Sequence, residues 1–397
     1  MSIRLFEDPG GKVRPLLTKA VAEKMFELGV PAGTLPVETQ PLQSVDRRSV
    51  YVVMCDGTVM DPKHQHEIEA GLRRGCRVLP VVRSLQFYSN SVPAFLTGLN
   101  GFQYWPPAAI DALADEVIAQ AWLARRNRRV FLSYRRSEAS ALAYQLRDEL
   151  ARQRYDVFLD ECTIDPGLDV QREIQWQLND ADMVLLLASP GVGSSNWVMQ
   201  EITFAAWAGV ALVALTWDKQ PLVAGALWPD QKLSLAPGDF ADSALPPQER
   251  TLTDDALERA LALVNSQRLK AIHQRLMSLL PFAESSINPL KFDVQPGTAL
   301  GDLVAVNRNT SEEYFVRVVP FRPTVETFSD LQRDLTARSQ RARARAAFIF
   351  YSESNPTDPR HASMRWLLAG ARPPSDASDQ FALAPFDGST NPFGPLA

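Results

Sequence analysis

Cysteine is scarce in this chain: Cys55, Cys76 and Cys162 are the only three in 397 residues. An odd, sparse set without metal-type spacing excludes a disulfide scaffold and fits a reducing compartment. Charge of one sign is lacking as well. Lys plus Arg number 41 against 46 Asp plus Glu, a formal net charge of −5. That balance exerts no global pull on nucleic acid or anionic lipid, so such binding would have to come from a local patch. Long apolar runs are missing too. The longest, Phe204 to Trp217, is rich in Ala, contains Gly209, and falls short of the ~20 residues a membrane-spanning helix needs. It reads as a buried helix running into a buried strand. The segment Met1 to Asp8 lacks the apolar core of a signal peptide. A cytoplasmic protein with no membrane partner is the expectation.

What remains is ordinary globular composition, 46% apolar and 22% charged, in a chain long enough for two or three domains of ~150 residues. The firmest pattern lies in the middle. Arg129 to Tyr134 is a β-type run, and Ala139 to Arg154 carries Leu142, Leu146 and Leu150 at helical spacing. Tyr155 to Asp160 reads as a second strand, about Asp169 to Asn179 as a helix, and Met183 to Ala188 as a third strand. Asn196 to Trp207 is then a third helix and Ala211 to Thr216 a fourth strand. Strands apolar on both faces and bounded by helices mean a parallel sheet covered on both sides. A doubly wound α/β domain is expected at 128–265, ending in a helix over Asp254 to Val264.

The first 123 residues repeat part of this plan. Arg48 to Val82 lies on Asp182 to Thr216 without a gap, which puts Glu67 on Glu201 and Val78 on Leu212. Ile3 to Phe6 supplies a first strand, a helix is expected near Thr18 to Leu28, and Ile110 to Gln120 supplies a closing helix. Domain 1–123 therefore reads as a degenerate copy of the central domain, against the alternative of two unrelated α/β halves. Residues 268–370 read as a smaller α+β domain. Its elements are a helix over Leu269 to Leu280, strands at Asp302 to Asn307, Tyr314 to Pro320 and Ala347 to Tyr351, and a helix over Phe328 to Arg345. Residues 371–397, dense in Pro, Ser, Asp and Gly, read as an extended or mobile tail.

Three motifs follow one another in the central domain. Phe131 to Arg136 closes the first strand, Asp165-Pro-Gly167 follows the second, and Ser195 to Glu201 opens the third helix. In that order and spacing they resemble the Toll/interleukin-1 receptor (TIR) domain, and most closely its bacterial enzymatic branch. The resemblance implies a flavodoxin-like doubly wound parallel sheet and cleavage of the nicotinamide–ribose bond of NAD+. It places Ser133, Tyr134, Arg135 and Arg136 where nucleotide contacts are made, Asp165 to Asp169 in a mobile loop, and Trp197 at the pocket wall. The substrate-binding set is thus Ser133, Tyr134, Arg135, Arg136, Asp165, Gly167 and Trp197. One departure is Leu168-Asp-Val170, where some enzymatic relatives carry an aromatic just after the loop glycine.

The residue types suit that chemistry on physical grounds. Trp197 and Glu201 are one helical turn apart, beside the carboxyl ends of parallel strands where open α/β sheets bind ligands. Aromatics stack on rings, guanidinium meets phosphate with a planar fork, and a carboxylate meets a ribose. An ordinary glycosidase needs two carboxylates, because an alkoxide leaving group must be protonated. Nicotinamide leaves as a neutral base from a cationic pyridinium, so one carboxylate suffices to stabilise an oxocarbenium-like transition state. Glu201 is the expected catalytic residue. NAD+ enters as substrate, and no cofactor or metal is expected.

Other readings stay open. Many TIR domains are non-catalytic scaffolds for protein–protein assembly, and a nucleotide-signal-binding module is a third possibility. Gly191 to Asn196 looks like part of a dinucleotide fingerprint but lacks the third glycine and reads as a turn. Asp61, His64, His66 and Glu67 make a metal-like cluster whose ligands do not share one face. Arg338 to Arg345 holds four arginines that suit a solvated helix end better than nucleic acid. Asp358 to Trp366 suggests a loop-to-helix element without a mechanism. The expected partners are NAD+, other TIR domains through self-association, and an activating ligand or protein. By resemblance, the setting would be anti-phage defence, through NAD+ depletion or a cyclic ADP-ribose signal.

Overall fold

A computed structural model describes residues 2–7, 11–27, 35–39, 49–73, 76–104, 109–122, 128–159, 170–217, 231–287, 292–297, 301–323, 327, 331, 344–352 and 380–386. The chain divides into two units, Met1–Arg126 and Asn127–Ala397.

The first unit runs β1 (Ile3–Phe6), α1 (Val13–Glu27), β2 (Val37–Glu38), β3 (Val50–Cys55), α2 (Pro62–Arg73), β4 (Arg77–Val82), the single turn α3 (Tyr88–Ser91), β5 (Phe102–Gln103) and α4 (Ile110–Trp122). Its five strands stand in the order β2-β1-β3-β4-β5, every pair parallel. Phe6, Tyr51, Val53 and Cys55 point from the sheet into a cluster closed by Ile68 of α2.

The second unit begins with β6 (Arg128–Tyr134), α5 (Arg136–Arg152), β7 (Tyr155–Phe158), α6 (Val170–Asp180), β8 (Met183–Ala188), α7 (Asn196–Trp207), β9 (Leu212–Trp217) and β10 (Gln231–Leu235). This sheet is ordered β10-β9-β8-β6-β7 and is also parallel throughout. Read from β7, that is the strand order of the first unit. The flavodoxin-like doubly wound sheet expected from the sequence is therefore present. Period-two alternation sorts its side chains. Val130, Leu132, Tyr134, Met183, Leu185 and Leu187 meet α5 and the long helix α8 (Asp254–Ile287). Phe131, Val184, Leu186 and Ala188 meet α6 and α7.

Local chemistry fixes α7. The Ser195 hydroxyl caps its first turn by accepting the Val198 N–H, and the helix ends in a Schellman pair. There Gly209, at φ +66°, takes the left-handed position that a side chain would resist.

The ungapped alignment of the two units holds for α2 on α7 but slips at the strand before it. Tyr51 pairs with Val78 in the first sheet, as Val184 pairs with Leu212 in the second. With Val78 on Leu212, Tyr51 stands on Val184 and not on Leu185. The shift matters because one residue in a strand exchanges the two faces.

Helix α8 is continuous from Asp254 to Ile287, so no break separates residues 265 and 268. Polar residues at the expected domain boundary form a seam onto the central sheet. Asn265 accepts from the Tyr155 hydroxyl at 2.8 Å, and Arg268 pairs with the buried Asp182 at 2.7 Å. Beyond it β11 (Phe292–Pro296), β12 (Asp302–Asn307), β13 (Glu313–Val319), β14 (Ala344–Ser352) and β15 (Gln380–Phe386) form a third sheet. Its first two pairings are antiparallel and its last two parallel. Two expectations change here. Ala344 and Arg345 belong to a strand and not to a helix, and residues 380–386 form an edge strand inside the expected tail. Most of the expected helix over 328–345 and the element at 358–366 lie outside the described residues.

Candidate functional site

The strand order reverses between β6 and β8, and ligands of open α/β sheets bind at that switch point, beyond the carboxyl ends of the strands. Ser133 stands near the end of β6 on the face that meets α7. Glu201 lies on the inner stripe of α7, among Val198, Ile202 and Ala205. Helical periodicity would fill that position with an apolar residue. A carboxylate is there instead, 4% exposed, and its Oε2 accepts the Ser133 hydroxyl at 2.5 Å. A buried polar group left without a partner costs about 1–3 kcal/mol, and more when charged. The Ser133 hydroxyl, itself buried, offsets part of that cost.

Trp197 sits one turn before Glu201 and packs against the cluster beneath α7. Its Nε1 is enclosed and finds no acceptor among the described residues. Arg135 precedes α5 at the same end of the sheet. Its Nη1 donates to Glu138 at 2.5 Å and to the Gly191 carbonyl at 3.2 Å, so the guanidinium is already engaged. Arg136 is exposed at the start of α5. Tyr134 is 5% exposed, in the cluster against α5 and α8 on the opposite sheet face from Ser133. The structure thus brings Ser133 and Glu201 into contact, sets Trp197 one turn from Glu201 on α7 and Arg135 at the rim of the switch point, and directs the Tyr134 ring to the other sheet face. Asp165 and Gly167 lie outside the described residues.

Glu138 escaped the sequence reading, and Gly191 was read only as part of a turn. Glu138 accepts from Arg135 and also from the Gly191 N–H, the latter at 2.8 Å, which makes the turn at Gly191 part of the rim. Their signal was weak: an acid three residues after a basic one, and a glycine in a polar loop.

The corresponding place in the first unit is built differently. Glu67 there receives a bidentate ion pair from Arg4, with Nε and Nη2 at 3.0 and 3.1 Å. His64 Nδ1 stands 2.7 Å from Glu7 Oε1 and does not join Asp61 or His66 around a common point. Among the described residues no group of three or more His, Cys, Asp or Glu could hold a metal ion. Cys55, at the end of β3, has its thiol pushed up to about 12 by burial, which makes it a poor nucleophile.

This architecture defines a doubly wound α/β domain with an enclosed carboxylate at its switch point. Residues 130–242 match the family model of the TIR domain. No curated protein matches the chain. Among solved structures it is similar to a protein of Silicibacter pomeroyi DSS-3 provisionally described as a phosphosugar isomerase. The two are 10% identical over 69% of this chain and 86% of that one, at a TM-score of 0.21, a likeness too distant to carry an argument. No helix among the described residues is long and apolar enough to cross a membrane.

Proposed function

We propose that the TIR domain, residues 128–265, cleaves the nicotinamide–ribose bond of NAD+ with Glu201 as the catalytic carboxylate. The observation that carries the reading is the Glu201–Ser133 bond, which holds the Glu201 carboxylate at the switch point of the sheet. A carboxylate held there meets the positive charge that develops on the ribose as neutral nicotinamide departs, and one such group is sufficient. Trp197, one turn away on the same helix, would bound the pocket. Phosphate contact would come from the guanidinium groups at the end of β6, Arg135 and the exposed Arg136. The product is ADP-ribose or a cyclic form of it. An activity that depletes NAD+ requires a trigger, supplied by assembly of TIR domains or by an activating ligand or protein, and anti-phage defence in the cytoplasm is a setting where such a device is useful.

The first unit is, in this reading, a degenerate copy of the TIR domain. The shared strand order and the matching bounds of α2 and α7 in the ungapped alignment support it. Its Glu67 is neutralised by Arg4, which favours a role in assembly for that unit. The competing reading makes the whole chain a scaffold without catalysis. Nicotinamide release from NAD+ by the concentrated full chain separates the two. The enzyme predicts release that disappears in Glu201→Gln, whereas no release from the wild type at any concentration leaves the scaffold.

A further inference from the structure

A second polar arrangement lies between the two strand ends that frame this site, and the proposed chemistry does not use it. Arg135, just before α5, and Glu138, in that helix's first turn, form an ion pair of 2.5 Å. Both grip one residue of the turn that leads into α7. Glu138 Oε2 accepts the Gly191 N–H at 2.8 Å, and Arg135 Nη1 donates to the Gly191 carbonyl at 3.2 Å. The same carbonyl also accepts from the Ser194 N–H and hydroxyl, at 3.0 and 2.8 Å. Gly191 has φ −95° and ψ 5°, which a residue with a side chain can adopt. A Cβ there would collide with Arg135 Nη1 and Glu138 Oε1. Contact, not backbone strain, demands the glycine.

We propose that Glu138 is a positioning residue for Glu201, acting through this clasp. The inference rests on the reading of Glu201 as the catalytic carboxylate. Ser133 lies two residues before Arg135, and Glu201 lies on the helix that Gly191 precedes. The clasp and the Ser133–Glu201 bond therefore tie the same two segments together at two points. Added to the apolar packing of α7 on the sheet, two ties hold its position and tilt against β6 more firmly than one. A displacement of about 1 Å at a reacting group can cost about 10²-fold in rate.

The test uses the full chain with NAD+ as substrate, and two substitutions that approach the clasp from opposite sides. Gly191→Ala suits the backbone and displaces only the flexible ends of Arg135 and Glu138. Glu138→Ala removes the acceptor, and Glu138→Gln keeps an oxygen for the Gly191 N–H while losing the ion pair. The expected result is a fall in kcat of about tenfold or more in Gly191→Ala and Glu138→Ala, with KM within about threefold and partial recovery in Glu138→Gln. Unchanged kcat would overturn the proposal. So would a rise in KM alone, which would leave Arg135 as a substrate contact only, or loss of the folded state in every variant. Hydrogen exchange over residues 191–198 supplies a readout independent of turnover. If the wild type releases no nicotinamide, the functional reading fails by itself. Faster exchange there in both alanine variants then still supports the clasp, and exchange at the wild-type rate rejects it.

Discussion

Each unit has a glutamate at the same place on the helix after its third strand, and the two carboxylates live in different electrostatic company. The strand register identifies their neighbours. Arg4 pairs with Tyr51 as Phe131 pairs with Val184, and Phe6 pairs with Val53 as Ser133 pairs with Leu186. Arg4 thus stands where the second unit has Phe131, and Phe6 where it has Ser133. Glu67 meets a guanidinium that neutralises it and lies over the Phe6 ring, 4.6 Å from its centroid. Among the partners of Glu201 is a neutral hydroxyl, that of Ser133, which orients a carboxylate. The lesson concerns chemistry on a shared frame: exchanging the residues facing one carboxylate converts a candidate catalytic group into a structural tie.

The sharpest break of this comparison comes from neutralising each glutamate in turn. Glu201→Gln is expected to lower nicotinamide release by about 10²–10³ or more, the scale of losing one preorganised electrostatic stabiliser. Glu67→Gln is expected to leave release per folded molecule within about twofold of wild type. A comparable fall in Glu67→Gln would make the first carboxylate a participant and end the contrast.

Stability should reverse the order. Glu67→Ala strips its carboxylate from an Arg4 side chain only 1% exposed, and breaking a buried pair in this way costs about 3–5 kcal/mol. Ser133→Ala removes a neutral donor from Glu201, at about 1–3 kcal/mol, together with a fall of about tenfold in nicotinamide release. Urea unfolding followed by hydrogen exchange reads the two units separately. A larger loss for Ser133→Ala would mean that the second carboxylate, and not the first, is the structural one.

Much of this was legible in the sequence, for reasons that differ by element. The bounds of Asn196–Trp207 could be read because a serine cap, an apolar stripe and a terminal glycine agree. Strands β2 and β5 have two residues each, and β10 is a largely exposed edge, so none carries an apolar run. The seam at Asn265 and Arg268 fell on the expected domain boundary, because its polar residues have partners far away in the chain, on β7 and before β8. Glu201 and Ser133 were both candidates, but their bond spans 68 positions and only the fold reveals it. Tyr134 offers the opposite case. Strand alternation already separates it from Ser133, and the grouping by motif obscured that rule.

Acid offers the mildest way to tell the units apart. His273 on α8 is 7% exposed, and its Nε2 has no hydrogen-bond partner among the described residues. Burial holds its imidazole below the usual value, because a charged ring there would lose its water without gaining a counter-ion. Above about pH 6.5 the ring is neutral in both folded and unfolded chains and contributes no pH dependence. As pH falls through that value, the unfolded chain takes up a proton that the folded one resists, so stability is lost on the acid side. The loss should fall on the second unit, which contains α8, and be smaller than that of either alanine substitution above. His273→Leu should flatten the decline in melting temperature between pH 7 and pH 5. An unchanged decline would assign the acid sensitivity to groups other than this ring.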